Sequence, residues 1–212
     1  MKKSLTFRYT LHQMTYWAIA AGVVSFATAF LLQKGFAASM VGTLLAAGNL
    51  LSCVFQPLLA DRADRIGGNV LKWLTVGLTV LSGLCFTAVQ LLPLPNVIFG
   101  LLYLLGVFFF DAMNPLMNAL NVSYTSGGYT INYGLSRGLG SLAYAFSALV
   151  IGKIMARFGA DWMIWISLAL MAANLAATVA AWALLCSLPR PLRRWCWCIS
   201  TSSEAKFPTT GC

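Results

Sequence analysis

Long apolar runs recur along this chain, and almost every charge is confined to the short connections between them. Stretches of eighteen or more apolar residues return with few interruptions, and each is long enough to cross a hydrocarbon layer of roughly 30 Å as a helix. Unpaired backbone groups cannot face lipid, and no segment shows the period-2 alternation of a membrane barrel, so helices are the expected elements. The composition agrees: 59% of the 212 residues are hydrophobic and 9% are charged, against about 25% charged in a soluble domain. The fold class read from the sequence is an all-α membrane protein, a bundle of six transmembrane helices.

The spans fall at about 10–32, 41–60, 70–92, 96–120, 132–156 and 162–187, joined by short connections, with "LPLPN" marking a proline hairpin between spans 3 and 4. Residues 1–188 form the bundle and 189–212 a tail. Although the start is basic, the first apolar stretch runs on to Leu32, which favours a retained span over a cleaved signal peptide.

The net charge of +9 raises the question of nucleic acid, but the cations sit between spans and not along one polar face, which excludes it. Their sidedness sets orientation instead. With the N-terminus inside, Lys2, Lys3, Arg8, Arg62, Arg65, Lys72, Arg190, Arg193, Arg194 and Lys206 fall on the cytoplasmic side. Lys34, Lys153 and Arg157 fall on the far side, and Arg137 lies within span 5. This asymmetry predicts both termini in the cytoplasm, and the expected location is the plasma (inner) membrane of a bacterium.

Cys53, Cys85 and Cys186 read as small apolar packers, and Cys196 and Cys198 lack a ligand pair at zinc spacing, so no metal and no cofactor is expected. With one histidine and five acids, an enzyme is disfavoured. Asp61 and Asp64 could form a metal pair of a membrane phosphotransferase, but the further carboxylates such a site needs are missing.

The chemistry concentrates in "FFFDAMNPLMNALN", residues 108–121. At 100° per residue, Asp111, Asn114, Asn118 and Asn121 share one face, a stripe that lipid would reject and that should look into the bundle or a wet cavity. Pro115 removes a backbone hydrogen bond beside it. Polar glue between helices is the plain alternative for the asparagines. An ionisable Asp111 so far from the interface is a functional candidate, and Arg137 in span 5 is its expected counter-charge. Gly134, Gly138, Ser141, Ala145 and Ala148 form a line of small residues for close helix approach, with Tyr144 on its edge. In span 1, Tyr9, His12 and Tyr16 share a face near the cytoplasmic end.

After span 2, "PLLADRADRIGG" carries Asp61 and then Asp64-Arg65-x-Gly67. This resembles the cytoplasmic loop signature of the major facilitator superfamily, with Ala60 in place of the usual leading glycine and Gly68 and Asn69 in place of basic residues. The resemblance implies that Asp61, Asp64, Arg65 and Gly67 belong to a gating loop. "FFFDAMNPLMNALN" followed by "NYGLSRGLGSLAYAFSALVIG" is similar to spans 4 and 5 of the lactose-permease-like, oligosaccharide:proton symporter branch. "GFAASMVGTLLAAGNLLSCVFQPLLAD" resembles its span 2.

On that resemblance Arg137 stands where the family binds sugar and Tyr144 where an aromatic stacks on it. Asn118 stands where the family has a glutamate, so the carboxylate is moved back two turns to Asp111. The implied function is secondary active transport, a proton-coupled symport of a small polar or sugar-like solute. Asp111, Arg137, Asn114, Asn118, Tyr144, His12 and Tyr16 are the candidate solute contacts. The implied partners are the solute, the coupling proton and the lipid bilayer.

The family has twelve spans in two halves, so the chain corresponds to the N-terminal half and is expected to need a missing C-terminal half or a second copy. "RPLRRWCWCISTSSEAKFPTTGC" reads as a disordered tail or as the mark of a truncation or lost frame near residue 190. A complete six-span protein, acting as a homodimeric transporter or a non-transporting scaffold, is the alternative.

Overall fold

The computed structural model describes residues 2–65, 68–126 and 132–186. Every element in them is helical. Helix α1 (Lys2–Ala20) continues through a π-helical turn (Ala21–Ser25) into α2 (Ala27–Gln33), and together they make span 1. Spans 2 and 3 are α3 (Ala38–Arg65) and α4 (Gly68–Leu91). Span 4 is divided into α5 (Asn96–Asp111) and α6 (Met113–Ser126). Spans 5 and 6 are α7 (Tyr133–Phe158) and α8 (Asp161–Cys186). Five helices are long and apolar enough to cross a bilayer, and the bent pair of span 1 brings the number to six. The tail 189–212 and Gly67 lie outside the described residues.

The connections are set by local chemistry. Helix α5 starts directly after Pro95, and the Asn132 side chain caps α7 by accepting from the Leu135 N–H at 3.0 Å. Gly159, at φ 95°, ends α7 in a conformation that a side chain would strain. Beyond it the Ala160 N–H donates to Gln33 Oε1 at 3.0 Å, and Lys34 pairs with Asp161 at 2.6 Å, tying the end of span 1 to the start of span 6. Asp161 also sits in the first turn of α8, where the helix dipole favours an acid.

The helices exchange partners in a regular way. Span 1 packs on spans 5 and 6, while span 4 packs on spans 2 and 3. Taken as two groups of three, the first helix of each group lies against the last two of the other. Both first helices are also interrupted, span 1 at Ala21–Ser25 with a bend of 42° and span 4 at Ala112.

Each break leaves backbone groups to satisfy. In span 1 the buried Val23 carbonyl accepts from the Tyr103 hydroxyl at 2.7 Å, so span 4 supplies the partner that the π turn needs. In span 4, Pro115 has no N–H to give the Asp111 carbonyl, and the helix restarts at Met113. Tyr103 is fully buried and stacks with Phe30 (5.5 Å) and edge-on with Phe86 (5.5 Å), forming an aromatic core between spans 1, 3 and 4.

Close approach of spans 1 and 5 rests on Gly140, where a Cβ would lie 2.8 Å from the Trp17 ring. This corrects the expected packing line. Gly134, Gly138, Ser141 and Ala145 are exposed, and a Cβ on Gly138 would meet nothing within 4 Å. The reason is angular: Gly140 lies about 200° around the helix from Gly138, so the two cannot serve the same neighbour.

Candidate solute site

Spans 1, 4 and 5 bring their polar residues to one region. On span 1, Tyr9, Gln13 and Trp17 recur every four residues and so form a single ladder. The Trp17 Nε1–H donates to Gln13 Oε1 at 3.0 Å, and Gln13 Nε2 donates to the Tyr9 hydroxyl at 2.8 Å. The Tyr9 hydroxyl in turn donates to the Met117 carbonyl of span 4 at 3.4 Å. The ladder therefore fixes the Trp17 indole through one edge and leaves its face open.

Arg137 occupies that face. Its guanidinium carbon lies 3.9 Å from the Trp17 ring centre, a close cation–π stack. Tyr144 stands edge-on to the same indole at 6.4 Å, and its hydroxyl forms a short hydrogen bond with Ser25 beside the break in span 1.

The expected ion pair between Asp111 and Arg137 is not made. The base is drawn to Trp17 because span 1, not span 4, is the close neighbour of span 5. Asp111 is partly exposed at the end of α5, and no described side chain reaches its carboxylate. Tyr16 links the two regions, its ring stacked on Phe110 beside Asp111 and edge-on to Trp17, which carries Arg137.

Farther along span 4, Asn118 Nδ2 reaches Asn114 Oδ1 at 3.4 Å, and the Tyr133 hydroxyl donates to Asn118 Oδ1 at 3.3 Å. Those contacts turn the asparagine stripe toward span 5. The stripe and the cation thus border one polar face, with an aromatic wall on span 1.

Two sequence candidates sit apart from this face. Tyr16 is enclosed, its ring stacked on Phe110 at 4.6 Å, and serves the contact between spans 1 and 4. His12 is buried and points to span 6, where it meets Asn174 and Thr178. Trp17, Gln13 and Ser25 were not singled out from the sequence, although the i, i+4, i+8 spacing of Tyr9, Gln13 and Trp17 was there to be read. A separate cavity of about 90 Å³ lies beside the π turn among Val23, Leu44, Leu45, Tyr103 and Val107, and its lining is mostly apolar.

Of the loop candidates, Asp61 is exposed and makes contacts near the end of α3. Asp64 and Arg65 continue that helix in their backbone, while their side chains and Gly67 lie outside the described residues. No group of three histidine, cysteine or acidic side chains that could hold a metal forms among the described residues.

A bundle of six apolar spans whose first and fourth helices are interrupted, with a cation, a carboxylate and amides inside it, has the build of a membrane transport protein. The MFS_1 like family matches residues 6–192, and the chain belongs to that family, one of transporters and not of enzymes. Neither a curated protein nor a solved structure matches it.

Proposed function

We propose that the chain forms one wall of a secondary active transporter of the lactose-permease-like kind, which moves a small polar or sugar-like solute together with a proton. The observation that carries this reading is Arg137 laid on Trp17, with its N–H groups taken by no described side chain. A guanidinium held on an indole can donate to solute hydroxyls while the Tyr144 ring beside it packs on the C–H face of a sugar. Asp111 supplies an acceptor, and Asn114 and Asn118 supply amides of both kinds. Asp61, Asp64, Arg65 and Gly67 keep the gating role their loop implies, with both termini in the cytoplasm of a bacterial plasma membrane.

The polar face is bounded by spans 1, 4 and 5 alone, and alternating access needs a facing wall. A companion six-span half is the first reading for that wall. A second copy is the alternative, favoured by the exposed line of Gly134, Gly138, Ser141 and Ala145 on span 5.

Binding and uptake separate these readings. Melting in detergent against a panel of mono- and disaccharides should show protection of the wild-type chain by at least one sugar and none for Arg137→Gln. No protection by any sugar removes the sugar-like reading. Vesicles holding the chain alone should take up no more solute than empty vesicles, and saturable proton-dependent uptake would install the homodimer instead.

A further inference from the structure

The only histidine of the chain lies outside the solute face, and its surroundings define a second polar site. His12, Asn174 and Thr178 are buried at 5%, 0% and 2% exposure between spans 1 and 6. The hydrogen bonds there have a forced direction. Thr15 spends its one hydroxyl proton on the Leu11 and His12 carbonyls, both at 3.0 Å. Its oxygen must therefore accept from Asn174 Nδ2, at 2.6 Å.

That contact orients the Asn174 amide, whose other N–H points at His12 Nδ1 (3.2 Å) and the His12 carbonyl (3.4 Å). With the amide so placed, Nδ1 is the acceptor and the imidazole proton is assigned to Nε2, which faces Thr178 Oγ1 at 3.4 Å. Thr178 gives its own proton to the Asn174 carbonyl at 2.8 Å. One atom is left over: Asn174 Oδ1 is buried with no partner.

A proton arriving at Nδ1 would set two N–H donors against each other. Turning the Asn174 amide over relieves the clash and uses the spare oxygen, because Oδ1 then accepts from Nδ1–H. The same turn sets Oδ1 against the His12 carbonyl, makes Thr15 withdraw its hydroxyl proton from the Leu11 and His12 carbonyls to donate to Oδ1, and leaves the amino group without a described partner where Oδ1 had been. We propose that His12 and Asn174 form a proton-binding site, distinct from the solute face, in which protonation of Nδ1 reverses the Asn174 amide and loosens span 1 from span 6.

Of the charged side chains on α7 and α8, Arg137 lies on Trp17, Arg157 lies over Phe158, Asp161 pairs with Lys34, and Lys153 is exposed. Arg8 is the cation one turn earlier on the same helix. Tyr9 and Tyr16 are engaged with Met117 and Phe110.

The site does not depend on the transport reading, and uptake is not its readout. Because the ring is unique in the chain, ¹⁵N-histidine labelling of the full chain in lipid nanodiscs gives one imidazole spectrum. The Nε2–H tautomer should be seen at about pH 8 and a single protonation on the way to about pH 5, the range in which imidazole titrates. Hydrogen exchange in span 1 and span 6 peptides should rise on the order of tenfold with that protonation, as the Asn174 amide gives up the His12 carbonyl and is left with an unpaired amino group. In His12→Gln, exchange should follow intrinsic chemistry alone. In Asn174→Asp, a carboxylate accepts from Nδ1–H, so the titration midpoint should move up by about one unit or more. The Nδ1–H tautomer at high pH, a ring that never titrates in this range, titration without the exchange change, or an unmoved midpoint in Asn174→Asp would each overturn the site.

Discussion

Arg137 is held within the membrane by a ring and not by an acid. A guanidinium is weakly hydrated and planar, so it can lie flat on an indole while keeping its N–H edges free, which an ion pair would consume. Trp17 is itself fixed by Gln13, and the stack should contribute between about 0.5 and 2 kcal/mol. A double-mutant cycle on melting in detergent, with Trp17→Leu and Arg137→Gln, should return a coupling in that range. The cycle of Asp111→Asn with Arg137→Gln should return less, because Tyr16 and Trp17 stand between the two charges and they make no contact. A larger coupling for the second pair would mean that the base leaves Trp17 for the acid. Arg137→Lys should lose most of the stack, since an ammonium has no plane to lay on the ring.

The elements that matter most are the two broken spans, and each break is sustained by a neighbour. Removing the Tyr103 hydroxyl leaves the Val23 carbonyl buried without a donor, so Tyr103→Phe should destabilise the bundle by about 1 kcal/mol. The ring and its aromatic contacts remain in that variant, which isolates the hydroxyl. Melting of the purified protein checks it, and an unchanged midpoint would show that the π turn needs no partner.

Span 5 offers a paired comparison. Gly140→Ala places a methyl 2.8 Å from the Trp17 ring and should cost about 1–3 kcal/mol by overpacking, while Gly138→Ala meets open space. The second change should be neutral, or slightly stabilising from helix propensity. Equal effects from the two would place span 1 on the wrong face of span 5.

At the scale of the whole molecule, 11% of the most apolar eighteen-residue stretch is buried in span 2 and in span 5, against 39% in span 4. A lone bundle thus presents two largely uncovered helices and a polar face in one unit, which is why a facing wall is part of the proposed function. Orientation is tested separately: a reporter fused after Pro95 and another at the C-terminus should report opposite sides, following the basic asymmetry. The same side for both would overturn either the orientation or the parity of the spans.

The sequence by itself determined that this is a helical bundle in a membrane, because length and apolarity alone decide whether a segment can satisfy its backbone in lipid. It also marked residues 108–121 as chemically costly, since Asp111 and its asparagines share a face at the α-helical pitch. Tertiary structure alone decided which polar groups meet. Arg137 could reach either an acid on span 4 or an indole on span 1, and the close approach at Gly140 settled it for Trp17. His12 stood on a face with Tyr16 in the linear reading, yet the placement of span 6 turned it to Asn174. A helical period fixes angles within one helix, but not which neighbour lies at each angle, and here the interhelical packing made that choice.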